Sequence, residues 1–386
     1  MKRKVYTPEF KQQAVQLVKV HHYFEGNRKT GAVVLNIKND ESLKSCERNG
    51  EYQIMRAVVW EKYGKPIGLK YREVEKPSPT KDEVLIRIDA TTVSTGDTEM
   101  RGLKFTFLIR VMIRLYMGIL KPRKKILGQE LVGTIEAVRS EVSTFKVGDR
   151  VIATTGFKFG GYAEYICLRP HSDMGTMVMK PSFISDYEAA ALPVAGMEVL
   201  HYLQLGKIKK GEHILINGAA GSFGTFAIQL AKYYEAEVTA VDALEKFEVL
   251  VDAGADHLID YNSDSYYKNK DTYDIIFDIV SNTNFKKSLN CLKAKGRYVF
   301  VTPKPMYKLK RRLCKLGSKQ VLFTLSKPSN FELENVIKLV KEASIKIYID
   351  KVLSLEEIPE AHEYIEKGYK KGNLVVKVSN GDTLKV

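Results

Sequence analysis

The chain has 386 residues, enough for two domains and an appendage, and 44% of them are hydrophobic, so a large core can be buried. Lys and Arg outnumber Asp and Glu by 61 to 46, but only +4 of the net +15 falls in residues 1–54. An excess spread this evenly reads as a solvated lysine-rich surface and argues against a dedicated nucleic-acid arm.

Residues 1–54 stand apart as an appended head. Thr7 is an apt N-cap, Pro8 suits the first helical position, and Phe10, Ala14, Leu17 and Val18 form one apolar stripe. One short helix is expected there, followed by disorder through residue 54. Residues 2–18 resemble the start of an insertion-sequence transposase of the orfA type. That resemblance stops near Val18, before any second, reading helix, so the head reads as a fusion remnant or an upstream mis-start. Its leading charges have no apolar core behind them, unlike a signal peptide.

Residues 55–180 are predicted as a compact β-rich domain with strands at Met55–Trp60, Val84–Ile88, Leu131–Val138, Arg150–Ala153 and Tyr162–Cys167. Within it, the run Phe105–Leu120 is too short and too charged to span a bilayer. An interfacial membrane helix is one reading, with the basic cluster Lys121, Arg123, Lys124 and Lys125 beside it. The preferred reading is a domain-packing helix whose apolar face also walls a substrate pocket. Over residues 181–325 strands alternate with helical patterns, which predicts a parallel sheet covered on both faces. Residues 326–386 hold two helical patterns, Glu332–Ala343 and Ile358–Lys367, and a closing strand, Leu374–Val378. The four cysteines, Cys46, Cys167, Cys291 and Cys314, share no Cys-x-x-Cys spacing, which fits a reducing cytoplasm.

The most informative stretch follows the strand Ile214–Ile216. Gly218, Gly221 and Gly224 recur every third residue, a helical pattern follows at once, and a second strand closes on Asp242. This is the order of a dinucleotide-binding unit. Gly218 permits the tight turn, Gly221 lets backbone approach a pyrophosphate, and Gly224 brings helix and strand close. Ala219, Ser222 and Phe223 belong to the same turn, and the helix N-terminus offers free N–H groups to phosphate.

From Met55 to about Val378 the chain resembles the medium-chain dehydrogenase/reductase superfamily, in its zinc-independent quinone oxidoreductase-like branch. The matching segments include Gly128-Gln-Glu-Leu-Val-Gly133, Gly160-Gly-Tyr-Ala-Glu-Tyr165, Glu188-Ala-Ala-Ala-Leu-Pro193, the glycine turn, Gly254–Tyr261, Glu356–His362 and Lys370–Val376. The resemblance implies an α/β protein: a GroES-like catalytic domain interrupted in sequence by a Rossmann doubly wound parallel-sheet domain, with the active site in the cleft between them. Such proteins are often dimeric, so a homodimer is an expectation.

Zinc-dependent members carry Cys and Gly-His-Glu ligands. Here those positions read Ser94-Thr-Gly-Asp97 and Gly128-Gln-Glu130, and no four-cysteine lobe exists, so no metal is expected. Without zinc, the simplest chemistry is hydride transfer from NAD(P)H to a hydrophobic quinone or enone, whose conjugation carries the charge onto oxygen. The resemblance implies the same activity. Thr95, Asp97 and Tyr162 are the candidate catalytic residues. Asp97 either holds its loop by hydrogen bonds, the favoured role, or takes part directly, Thr95 and Ser94 offer hydroxyl donors, and Tyr162 offers a proton. For the cofactor, the candidates beyond the turn are Asp242, Lys246, Tyr261, Val280 and Asn373. Asp242 favours a ribose hydroxyl and NADH, while Lys246 matches a 2′-phosphate ligand and NADPH, so both remain open. Ser94, Glu198 and Ser281 depart from the related pattern and motivate one alternative to an active reductase, and the head motivates another. One is a catalytically weakened nucleotide-binding protein; the other is DNA binding through the head.

Overall fold

The computed structural model describes residues 53–172, 174–280, 283–301 and 317–378. Contacts divide the chain after Tyr52, and the body from Gln53 is described by itself. The head, with its expected helix, and Ser281 lie outside the described residues.

The body opens with an antiparallel pair, β1 (Ile54–Trp60) and β2 (Leu69–Glu75), in register from Ile54 opposite Glu75 to Trp60 opposite Leu69. Next come β3 (Val84–Val93), helices α1 (Thr95–Gly102) and α2 (Phe107–Met117), and strands β4 (Glu130–Val138), β5 (Arg150–Thr154), β6 (Tyr165–Leu168) and β7 (Thr176–Met179). Tyr162 falls short of its predicted strand, which starts at Tyr165; Tyr162 instead sits in the preceding turn, its N–H bonded to the Leu127 carbonyl at 3.0 Å.

Two helices lead out of this layer, α3 (Asp186–Ala191) and α4 (Pro193–Gly206). Ser185 and Glu188 form a capping box on the first, and Pro193 opens the second, where its missing N–H costs nothing. The alternating part follows as β8 (His213–Asn217), α5 (Ser222–Tyr233), β9 (Glu237–Asp242), α6 (Phe247–Asp252), β10 (His257–Asp260), β11 (Tyr273–Asp278), α7 (Phe285–Cys291), β12 (Leu292–Phe300) and β13 (Gln320–Leu322). These strands form one parallel sheet in the order β10-β9-β8-β11-β12-β13. The middles of the two central strands, Ile214–Ile216 and Ile275–Phe277, are apolar and buried, as a sheet covered on both faces demands.

The chain then passes through α8 (Asn330–Glu342), β14 (Ile349–Ser354), α9 (Ile358–Glu366) and β15 (Asn373–Lys377). The last two strands rejoin the first layer, giving a seven-stranded sheet in the order β14-β15-β3-β4-β5-β7, with β6 also on β3. Leu374 of β15 pairs with Val93 of β3, so the C-terminal strand closes the sheet that the N-terminal half began. The interruption of a β-rich layer by a doubly wound sheet is therefore real.

The expected packing of the Phe105–Leu120 run is corrected. Among the described residues of α2 only Met117 is buried, while Phe107, Leu108 and Leu115 are 80%, 70% and 61% exposed. The helix is apolar nearly all round, and only the stripe through Ile113, Tyr116 and Met117 reaches the core. Among the described residues, no helix is long and apolar enough to cross a membrane.

Candidate functional site

The strand order reverses between β8 and β11, and in open parallel sheets the crevice at such a switch point receives ligands. The glycine turn lies there, at the C-terminal end of β8. Gly218 adopts φ +83°, and a Cβ on it would meet Val280 Cγ2 at 2.4 Å. At Gly224 a Cβ would fall 2.2 Å from the Ala219 carbonyl oxygen, so only hydrogen lets helix and turn touch. Gly221 is different. Its φ of −82° suits any residue, yet nothing lies within 4 Å of its Cβ position. Helix α5 begins immediately after it with no side-chain cap, so the free N–H groups and positive dipole end lie at an open space.

Asp242 is placed beside the turn but turned inward. Its carboxylate accepts from the Ala220 N–H and the Ala243 N–H, each at 2.9 Å, and Lys246 Nζ lies 3.3 Å away. These contacts brace the turn from the position at which the sequence reading expects a ribose contact. Val280 and Tyr261 flank the turn, 52% and 59% exposed, and the Tyr261 N–H bonds the Asp242 carbonyl at 3.3 Å. Asn373 is buried, donating from both Nδ2 (3.0 Å) and its backbone N–H (2.8 Å) to the Tyr348 carbonyl.

Two buried groups were missed in the sequence. Lys370 Nζ donates to Ser222 Oγ at 2.9 Å, at the uncapped start of α5, and Ser222 in turn donates to the Gly372 carbonyl at 2.9 Å. Burial pushes the Lys370 ammonium down to about 8, against the pull of Glu130 and Asp350. Glu130 opens β4 and accepts from Thr92 Oγ1 (2.5 Å) and the Val194 N–H (2.9 Å). Burial pushes its carboxyl up to about 7, against those two hydrogen bonds. The signal for Lys370 was present in Lys370-Lys-Gly-Asn373, read only as a closing strand. Glu130 was read only as part of a failed zinc motif.

Asp97 caps α1. Its Oδ2 accepts from the Ser94 N–H (3.0 Å) and hydroxyl (2.7 Å), its own N–H donates to Ser94 Oγ, and its Oδ1 accepts from the Gly128 N–H (3.3 Å). Burial pushes its carboxyl up, against hydrogen bonds from Ser94, Tyr162 and Gly128. Tyr162, the candidate proton donor, is fully buried, with its hydroxyl between Asp97 and His362 Nε2 (3.3 Å). Behind it Arg101 Nε donates to His362 Nδ1 at 3.2 Å, and burial, with the Arg101 charge, pulls His362 down to about 3. His362 is therefore neutral, and its Nε2–H donates to Tyr162. The chain Arg101–His362–Tyr162–Asp97 is a buried brace for the β3–α1 junction. In front of it Thr95, the first residue of α1, stays exposed.

Glu198 on α4 accepts a hydrogen bond from the Ser326 hydroxyl, and burial raises its pKa toward the neutral form. Burial thus lessens the charge that made this position look unfavourable for a dinucleotide, with the Ser326 hydrogen bond opposing it.

Comparison with known proteins follows this geometry. The family model described as "Zinc-binding dehydrogenase" matches residues 253–376, and that described as "Alcohol dehydrogenase GroES-like domain" matches residues 80–179. A chloroplastic quinone-oxidoreductase, QR1, of Triphysaria versicolor is 32% identical over 341 residues, covering 84% of this chain and 99% of the relative. An acryloyl-coenzyme A reductase of Sulfurisphaera tokodaii is 30% identical over 353 residues, covering 84% of this chain and 100% of the relative. The structure of the quinone oxidoreductase from Coxiella burnetii superposes with a TM-score of 0.75 at 29% identity, covering 85% of this chain and 100% of that one. None of these matches supports the transposase resemblance of residues 2–18.

Proposed function

The chain belongs to the medium-chain dehydrogenase/reductase superfamily, and on that premise we propose that it is an NAD(P)H-dependent reductase of quinones or α,β-unsaturated carbonyls that uses no catalytic zinc. The observation that carries the reading is the opening at Gly221. There an uncapped helix start, a side-chain-free backbone and the Lys370 ammonium converge, a donor set suited to a pyrophosphate. A bound nicotinamide dinucleotide supplies the hydride. In this chain Lys370 and the first N–H groups of α5 hold negative charge, and Lys246 offers a cation beside Asp242. Thr95, exposed at the head of α1, donates a hydrogen bond to the substrate oxygen, while Asp97 keeps that loop in place.

The residues at the related zinc positions do not fit a metal. Ser94 is engaged with Asp97, Gln129 is an amide, and Glu130 faces Thr92 and Val194, so neither thiolate nor imidazole is present. Hydride acceptance must then rest on the substrate's own conjugation. A quinone and an acryloyl thioester, named in the two curated relatives, share that property.

The test is NADH and NADPH oxidation with a panel of quinones and enones, beside alcohol oxidation with the oxidised cofactors. Quinone or enone turnover without alcohol oxidation is expected, unaffected by chelators. Alcohol oxidation alone would overturn the proposal. Cofactor binding with no turnover on any acceptor would favour the weakened nucleotide-binding alternative.

A further inference from the structure

The edge of the parallel sheet opposite the glycine turn carries a second constellation. His213, Glu237 and His257 are the first residues of β8, β9 and β10, which lie side by side. Register sets His213 opposite Glu237, and His257 opposite Thr239, so parallel pairing draws the three side chains onto one face at one end. One ligand atom from each lies within 4.8 Å of the others. His257 Nε2 is 2.6 Å from Glu237 Oε1, and His213 Nδ1 is 3.9 Å from Glu237 Oε2.

We propose that His213, Glu237 and His257 form a binding site for a divalent transition-metal ion of the zinc class. Two imidazoles and a carboxylate are the donors such ions take, and tetrahedral bonds of about 2.0–2.2 Å place neighbouring donors roughly 3.3 Å apart. The observed separations straddle that spacing, so small side-chain rotations close the set.

A surface Glu–His contact is common without a metal; the third ligand argues further. His213 Nε2 lies 2.7 Å from Thr239 Oγ1. Thr239 is also hydrogen-bonded to Tyr273, whose hydroxyl accepts from Asn269 Nδ2 at 2.8 Å. A metal at Nδ1 requires the Nε2–H tautomer, and Thr239 Oγ1 is placed to accept that hydrogen. With that tautomer the Nδ1 lone pair faces the Glu237 carboxylate 3.9 Å away, and a cation between them would satisfy both. Fixing one ring nitrogen so that the other can ligate is the usual outer-sphere device of metal histidines. The site opens on a cavity of about 380 Å³ bordered by Thr239, Asn269 and Thr272, leaving room for water to complete the coordination.

An ion here would tie together the starts of three adjacent strands, remote from the dinucleotide crevice. Calorimetric titration of the purified full chain with zinc chloride should show one ion per chain and a rise in the unfolding midpoint. His257→Gln, at an exposed position, should keep the fold and weaken binding by at least about tenfold. Thr239→Val should weaken binding by about tenfold with all three ligands intact, an effect that adventitious zinc on a surface pair would not show. Cobalt substitution should give a visible d–d spectrum that His257→Gln abolishes. No zinc uptake by the wild-type chain, or undiminished uptake by folded His257→Gln, would overturn the proposal.

Discussion

At the scale of single residues, the three glycines of one motif serve three separate physical ends, and substitutions should separate them. Gly221→Val adds a side chain where nothing stands within 4 Å, so stability should change little while NAD(P)H affinity falls by at least about tenfold. Gly224→Ala forces a methyl to within 2.2 Å of backbone and should cost about 1–3 kcal/mol in denaturant unfolding. Equal loss of stability in both variants would refute the distinction. Glu130 provides a pH test. Its carboxyl is raised from 4.5 to about 7 in the folded chain, so the fold binds its proton more tightly than the unfolded chain does. The associated stability is full below about pH 4.5 and is lost as pH rises through about 7. Wild type should therefore lose stability relative to Glu130→Gln between about pH 5 and pH 8 in paired denaturation curves. A constant difference across that range would remove Glu130 from the account.

Among the elements, α2 shows where an apolar pattern misleads. Leu115 is 61% exposed and Met117 is buried, although the two stand two residues apart on one helix. Leu115→Ser should change stability by no more than about 0.5 kcal/mol. Met117→Ala should cost about 2–5 kcal/mol, because it leaves a cavity where Met117 joins the core of the β-rich layer. Comparable costs at both positions would show that the exposed face is covered in solution. On α1 the pairing of Ser94 and Asp97 was visible as Ser-x-x-Asp, but its partners Tyr162, His362 and Arg101 were not. They come from a turn, from α9 and from the far end of α1, at separations of up to 261 residues.

For the molecule as a whole, the path of the chain is what makes a cleft. The C-terminal strand β15 returns to β3, and the segment leading into it lies on the glycine turn, where the Gly372 N–H bonds the Ala220 carbonyl at 2.7 Å. Lys370 rides on that segment. Lys370→Met should consequently raise KM for the dinucleotide more than it lowers kcat, since its ammonium is assigned to charge on the cofactor and not to the reacting atoms. A fall in kcat alone would move Lys370 to the chemical step. A chain beginning at Gln53, where contacts divide the molecule, is expected to keep both its melting temperature and its reductase activity.

Sequence alone determined the doubly wound sheet, the β-rich layer and the position of the glycine turn, because each is written in local terms. Alternating apolar runs, glycines at fixed intervals and a strand-ending acid need only neighbours a few residues away. Sequence also carried the absence of zinc ligands at Ser94 and Gln129, which is a matter of side-chain chemistry. Tertiary structure decided the rest. It turned Asp242 and Asn373 inward, buried Tyr162, left one face of α2 in the open and set Lys370 against Ser222. It also gathered His213, Glu237 and His257 from three strand starts with no motif spacing among them. The physical reason is common to all of these. A hydrogen bond or a ligand set depends on which strands become neighbours and in what register, and those neighbours are drawn from distant parts of the chain.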